Sequence, residues 1–323
     1  MKAFGKTVLL LLLLSQVLFV GAARGDALGD AEALALLQRI AQAARELNYR
    51  GTFVYQHGNH AETSRITHFV DRSGEFEKLE TLDGPRREII RNSAEIVTFY
   101  ADSGVVKRER RTARKVFPAL LPEQLSVLTQ YYQLRKVGQD RIAGHDAQAL
   151  ILEPRDQFRY GHKLWAELKT GLLLKARMLN ERGEVMEQFH FTEVAIGVPL
   201  TKDAVTPRFA IPASPQRETV QVPTDTGWLV QNQPAGFKKI MELQRQKQTG
   251  GGLVSHLVFS DGLAAVSVFI EPMPAAGIVP GLTHQGAVSI YTRPLSDKLI
   301  TVLGETPPVT VMQIANSVSP KSR

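Results

Sequence analysis

The sequence predicts an α+β protein of two domains: a curved antiparallel sheet covered by helices, then a smaller β-rich domain that ends in a helix. Three observations predict it. Apolar and polar residues alternate with period two from Arg50 onward, cut about every ten residues by turn-forming pairs. A stretch carrying Pro199, Pro207, Pro212, Pro215 and Pro223 separates this region from a second series of strands and reads as a semi-extended linker. At 323 residues the chain is long for one domain and short for three.

Residues 1–23 read as a signal peptide. Lys2 and Lys6 form a basic start, Val8–Leu14 and Val17–Val20 an apolar core, and Gly21-Ala22-Ala23 the small residues that a signal peptidase accepts. Ser15-Gln16 interrupt the apolar run and no stop-transfer charges follow, so cleavage is expected rather than retention as a membrane anchor. The chain contains no cysteine, which removes a lipoprotein anchor, a disulfide framework and a Cys-ligated metal. The expected divisions are a signal peptide at 1–23, a first domain at 24–198, a linker at 199–226, a second domain at 227–318 and a tail at 319–323.

Each element has a local reason. Asp30 suits a helix N-cap, and Leu34, Leu37, Ile40, Ala41, Ala44 and Leu47 then mark one apolar face. In the first strand Phe53 and Tyr55 share one face, and Thr52, Val54 and Gln56 the other. His57-Gly58-Asn59-His60 reads as a hairpin turn, with further turns at Ser73-Gly74, Asp83-Gly84, Asn92-Ser93 and Asp102-Ser103-Gly104. An amphipathic meander needs cover on one face. The first helix supplies part of it, and a second is expected over 122–132, with Pro122 at N1 and Leu121, Leu125, Leu128 and Tyr132 at helical spacing. Strands are expected near 134–142, 145–153, 159–168, 172–180 and 184–196. Beyond the linker, Gly227-Trp228 opens the second domain and Gly236-Phe237 leads a polar strand. Strands 253–259 and 263–270 form a hairpin across Asp261-Gly262. Strands at 286–291 and 299–303 precede a last helix with Pro307 at N1.

Charge narrows the partners. The formal charge of +7 falls to +5 once the two lysines of the leader are removed. An exported basic protein points to acidic partners or anionic lipid surfaces and away from nucleic acid. No enzyme motif is present: there is no G-x-S-x-G, H-E-x-x-H, Walker loop or dinucleotide fingerprint, and no carboxylate cluster that argues for glycoside cleavage. His57 and His60 are the one close histidine pair, on a hairpin tip without a third ligand, and His68 reads as an ordinary strand histidine. No catalytic residue, metal or cofactor is expected.

Two groups of residues are candidates for binding. Lys107, Arg108, Arg110, Arg111, Arg114 and Lys115 crowd nine positions with Glu109 as the single acid among them, and Phe117, Leu120 and Leu121 follow between Pro118 and Pro122. Such a stretch suits an amphiphile with an anionic head or an acidic partner segment; it equally suits an edge strand whose charges prevent edge-to-edge pairing. Phe53, Tyr55, Phe69, Phe99 and Trp165 lie on expected strands, either as core or as the lining of a cavity for acyl chains. Each methylene buried there would contribute about 0.8 kcal/mol.

Four stretches carry a family resemblance. Val137-Gly138-Gln139-Asp140-Arg141-Ile142-Ala143, led by Tyr132–Lys136, resembles the V-G-x-x-R-I-A element of the MucB/RseB family. Asn180–Phe189 resembles its D-x-x-G-E-x-x-E-Q-F hairpin, with Asn180 where the pattern has an acid. Ser260-Asp261-Gly262-Leu263 resembles its S-D-G-L hairpin, and Val302–Pro308 its V-G-E-x-P-P turn. The resemblance spans both domains in order. It implies a first domain similar to lipoprotein carriers, an unclosed antiparallel β-barrel with helices in its concavity. It also implies a periplasmic negative regulator of an envelope-stress sigma factor. Such a protein binds the periplasmic domain of a membrane-spanning anti-sigma factor (MucA/RseA-like), shields it from regulated proteolysis and lets go when lipopolysaccharide or a related lipid binds. A homodimer stays open, and a periplasmic lipid or lipoprotein carrier is the alternative. On this reading Lys107–Lys115 meet the partner or a lipid head, and the aromatic residues with Phe117, Leu120 and Leu121 meet the acyl chains.

Overall fold

The computed structural model describes residues 26–110, 121–122, 124–209, 224–246, 252–274 and 279–321. The expected signal peptide lies outside them. No described helix is long and apolar enough to cross a membrane.

The first domain is one twelve-stranded antiparallel sheet. Its strands are β1 (Asp26–Ala27), β2 (Tyr49–His57), β3 (His60–Asp71), β4 (Gly74–Thr81), β5 (Arg87–Arg91), β6 (Glu95–Tyr100), β7 (Val105–Arg110), β8 (Tyr132–Ile142), β9 (His145–Pro154), β10 (Gly161–Glu167), β11 (Leu173–Leu179) and β12 (Val185–Ile196). They run in the order β1-β8-β9-β10-β11-β12-β2-β3-β4-β5-β6-β7, so the sheet stays open with β1 and β7 as its edges. The expected meander is therefore present, with β12 pairing back onto β2 from Ile196 opposite Tyr49 to Glu187 opposite His57.

Helix α1 (Asp30–Glu46) buries Ala33, Leu37, Ile40, Ala41, Ala43 and Ala44. Gly29, not Asp30, holds the extended N-cap position; Asp30 and Glu32 instead place their carboxylates in the first turn, against the positive end of the helix dipole. Helix α2 is shorter than its apolar spacing suggested. It covers only Ser126–Tyr131, Leu125 rather than Pro122 precedes it, and Tyr132 already opens β8. Leu121, Leu125 and Leu128 are nevertheless buried in one core with Leu37, Ile40, Tyr49, Phe53, Leu150, Leu164 and Phe191. Burying each such side chain contributes about 1.5–3 kcal/mol.

Register divides the strand residues between two faces. Phe53 lies opposite Phe191, and Tyr55 opposite Phe189, on the face that carries this core. Phe69 lies opposite Phe76, and Phe99 opposite Glu88, one position out of phase and hence on the other face. Trp165, opposite Lys175 where Leu164 is opposite Ala176, also belongs to that outer face.

The linker is not free along its whole length. A 3-10 turn at Lys202–Val205 lies against β3 and β4, with Val205 buried. Lys78 Nζ donates to the Thr206 carbonyl at 3.0 Å, and the Arg208 N–H to Glu88 at 2.8 Å. Lys78 is itself buried between Glu88 at 3.1 Å and Glu80 at 3.8 Å, so the outer face of β3–β5 uses a charged seam to hold the chain as it leaves the domain.

The second domain is a six-stranded sheet and a two-stranded ribbon. Its strands are β13 (Trp228–Val230), β14 (Lys238–Gln246), β15 (Leu253–Ser260), β16 (Ala265–Pro272), β17 (Gly281–Gln285), β18 (Val288–Leu295), β19 (Lys298–Gly304) and β20 (Val318–Pro320). The sheet order is β14-β15-β16-β19-β18-β17, and β13 pairs with β20. The expected hairpin across Asp261-Gly262 is β15–β16. β13, β17 and β20 are additions to the expected pattern, short or polar enough to lack a clear alternation. Helix α3 (Pro308–Asn316) has Pro307 at the N-cap and Pro308 at N1, one position later than expected, and buries Val311, Ile314 and Ala315.

Candidate functional site between the domains

The domains meet around one buried arginine. Arg159 precedes β10, and its side chain has no exposed surface. Its guanidinium pairs with Asp156 at 3.0 Å and, across the junction, with Asp261 at 2.8 Å, and donates to the Ala235 carbonyl at 2.6 Å. The same group lies 4.5 Å above the Tyr131 ring centroid and 5.3 Å from that of Phe237, a cation–π arrangement drawing on both domains. Tyr132 donates its hydroxyl to Asp261 at 3.4 Å. Asp261 can do this because its other oxygen is committed locally, accepting from the N–H groups of Leu263 and Ala264 and so fixing the β15–β16 turn. Thr310 at the start of α3 adds a bond to the Phe158 carbonyl at 2.7 Å.

Beside this lock is a groove of about 460 Å³. Pro122, Gln124 and Val127 of the first domain form one wall; Lys238, Ile240, Leu263, Val288, Leu303 and Glu305 of the second are among those that form the other. Ile240 is 51% exposed, and the lining as a whole mixes apolar and small polar side chains with one cation, Lys238, and two carboxylates, Asp261 of the lock and Glu305. A groove of this size with apolar walls and few charges accommodates a short extended chain or a small amphiphile.

A carboxylate pair spans the junction near the same groove. Tyr55 of β2 donates its hydroxyl to Glu187 of β12, and Glu305 of the second domain is close enough to act on both. Burial first, and the Glu305 charge second, push Glu187 up to about 7, while the Tyr55 bond acts the other way. His162, buried near Asp261, is pushed down to about 4 by burial and stays neutral.

Among the described residues, those singled out in the sequence do not assemble into one site. Arg111, Arg114, Lys115, Phe117 and Leu120 lie outside the described residues, as does the Arg110 side chain, whose backbone on β7 sits opposite Glu95. Lys107 pairs with Glu109 at 2.8 Å and Arg108 with Glu95 at 3.2 Å, so a second acid from the neighbouring strand balances this cationic edge. Leu121 is buried in the first core with Phe53, and Tyr55 packs at its margin. Phe69, Phe99 and Trp165 are buried on the opposite face, so the five strand aromatics do not line a common cavity. Trp165 donates Nε1–H to Asp140 at 2.6 Å and lies beneath the cations of Lys163, Lys175 and Arg177.

Arg159, Gly236, Glu187 and Glu305 were not singled out by their local pattern. One signal did point to the junction: the four motifs behind the family resemblance contain Tyr132, Glu187, Asp261 and Glu305, and all four residues meet here.

Comparisons with known proteins agree in both halves. The family model for the MucB/RseB N-terminal domain matches residues 32–209, and that for the MucB/RseB C-terminal domain matches residues 222–319. The sigma factor AlgU regulatory protein MucB of Pseudomonas aeruginosa is 32% identical over 98% of both chains. The sigma-E factor regulatory protein RseB of Escherichia coli K12 is 25% identical over 88% of this chain and 89% of its own. The crystal structure of MucB in complex with MucA(peri) superposes with a TM-score of 0.72 at 31% identity, covering 90% of this chain and 99% of that one. The chain belongs to the MucB/RseB family.

Proposed function

We propose that the protein is a periplasmic regulator of an envelope-stress sigma factor. It binds the periplasmic segment of a membrane-spanning anti-sigma factor, shields that segment from regulated proteolysis and releases it when a lipopolysaccharide-type lipid binds. The protein is a binding protein rather than a catalyst. The observation that carries this reading is the inter-domain groove flanked by the Arg159–Asp261 lock, with residues of all four family motifs gathered at the junction. The likeness to a named sigma factor regulator over 98% of the chain supports it, as does the likeness to a relative solved with MucA(peri).

Apolar walls with one lysine and one glutamate suit an extended peptide whose side chains alternate in and out. Binding that touches both domains also offers a route to release: a lipid that favours another inter-domain geometry lowers peptide affinity by its own differential affinity for the two states.

Titration of the exported protein into the cognate anti-sigma periplasmic domain, with and without lipopolysaccharide fragments, tests this. Tight binding that the lipid abolishes is expected. No binding to that domain, with lipid still held, would replace the regulator with a lipid or lipoprotein carrier.

A further inference from the structure

On the core-bearing face of the first domain, four polar residues form a row across four strands. Tyr49 of β2 lies opposite His68 of β3, His68 opposite Glu77 of β4, and Glu77 opposite Arg91 of β5. Glu75, two residues before Glu77 on the same face, reaches back to His68 at 3.4 Å. Tyr49 and His68 have no exposed surface, and Glu77 has 2%. A polar row buried this deeply must have its charges and hydrogen bonds matched.

Two groups in it are set as ligands set themselves. The Nδ1 of His68 is 2.7 Å from the Leu47 carbonyl, which places a proton on Nδ1, and Nε2 faces Glu75 at 3.4 Å. Fixing one ring nitrogen on a carbonyl is the usual support for a metal-binding histidine. The Tyr49 ring stacks on His68 at 4.9 Å, and its buried hydroxyl has no hydrogen-bond partner although the charges of Glu77 and Glu75 act on it. Ligand atoms of His68, Glu75 and Glu77 all lie within 4.8 Å of one another. Arg91 bonds Glu77 at 3.2 Å, and Glu75 lies 3.4 Å from the buried His68.

We propose that His68 Nε2 and the carboxylates of Glu75 and Glu77 form a binding site for a first-row divalent cation, with the Tyr49 hydroxyl completing its polar surround. One nitrogen and two or three oxygens suit zinc, whose bonds of about 2.0–2.2 Å need ligand atoms about 3.4 Å apart. The His68–Glu75 separation already has that value. Glu75, whose side chain is 21% exposed, provides the entry path. Arg91 would remain as the group that orients Glu77. The ion would tie β2, β3 and β4 together from the core-bearing face, across the sheet from where the linker turn docks on β3 and β4.

Zinc chloride titrated calorimetrically into the tag-free protein tests the site, with thermal unfolding as a second readout. One zinc per chain is expected, with a melting temperature that rises by several degrees at about a hundredfold excess over Kd. Glu75→Gln, at the rim of the row, should fold normally yet weaken zinc at least about tenfold. Tyr49→Phe should weaken it less. Two results would overturn the proposal: no zinc bound at micromolar concentration, leaving the row a structural ladder only, or binding unchanged in Glu75→Gln and lost in a His57→Ala/His60→Ala variant of the exposed hairpin tip.

Discussion

Arg159 of the first domain and Asp261 of the second form an ion pair at 2.8 Å in which neither side chain has exposed surface. Breaking one side of such a pair leaves the other charge buried and uncompensated, a cost of about 3–5 kcal/mol. Asp261→Asn keeps an oxygen for the Leu263 and Ala264 N–H groups, so the β15–β16 turn should survive while the charge is lost. The expected outcome is two folded domains that no longer dock. Small-angle scattering should show a larger radius of gyration, and calorimetry should resolve two transitions. A single transition at an unchanged temperature would show that the lock contributes little.

The junction should also respond to pH through Glu187. Its folded-state pKa, about 7, lies above the ordinary 4.5, so the folded protein holds a proton that the unfolded chain has already released. The groups facing it are Tyr55 on β2 and Glu305 of the second domain. Below pH 4.5 both states are protonated and the group is neutral in the balance. Between about pH 4.5 and 7 its contribution to stability falls as pH rises, and above 7 the loss is complete. Glu187→Gln should therefore flatten the decline in melting temperature between pH 5 and 8 while retaining a polar partner for Tyr55. An equally steep decline in the variant would assign it to other groups.

The cationic edge strand separates stability from binding. Lys107 and Arg108 pair with Glu109 and Glu95 at a partly exposed sheet edge, where such pairs contribute about 0–1 kcal/mol. Lys107→Gln should leave chemical denaturation unchanged. If the stretch meets an acidic partner or a lipid head, Arg110→Glu with Arg111→Glu should weaken that binding and reduce its salt dependence. Unchanged affinity for both ligands would remove the stretch from the mechanism.

Much of this fold was legible because its local signals do not depend on distant residues. Gly58, Gly104 and Gly183 sit at positive φ in the expected turns, and α1 follows its apolar stripe. Helix α2 was overestimated because Tyr132 fits both a helical stripe and the first buried position of β8. The faces of the aromatic residues were hidden for a different reason. Alternation shows which residues of one strand share a side, but only register shows which side of the next strand matches it. Phe53 and Phe69 therefore looked equivalent and lie on opposite faces. His68 reads as an isolated histidine in the sequence because its neighbours Glu75 and Glu77 arrive across the β3–β4 turn. The Arg159–Asp261 lock joins positions 102 residues apart, and no periodicity reports such a pair.

Gly236 offers a test of how tightly the junction is packed. It sits at φ +87°, where a side chain is already strained, and a Cβ there would lie 2.5 Å from the Tyr131 ring. That ring cannot retreat without leaving the Arg159 guanidinium 4.5 Å above it. Gly183 is the control: its φ is +77°, but a Cβ would meet open space. Gly183→Ala should cost only the backbone strain, about 1–2 kcal/mol. Gly236→Ala should cost more, about 3 kcal/mol or above, because the clash adds to that strain. Urea denaturation of the two variants side by side isolates the contribution of the Tyr131 contact. Equal losses would mean that the domains can part by about 1 Å here without penalty, and that the Tyr131 contact does not hold them in position.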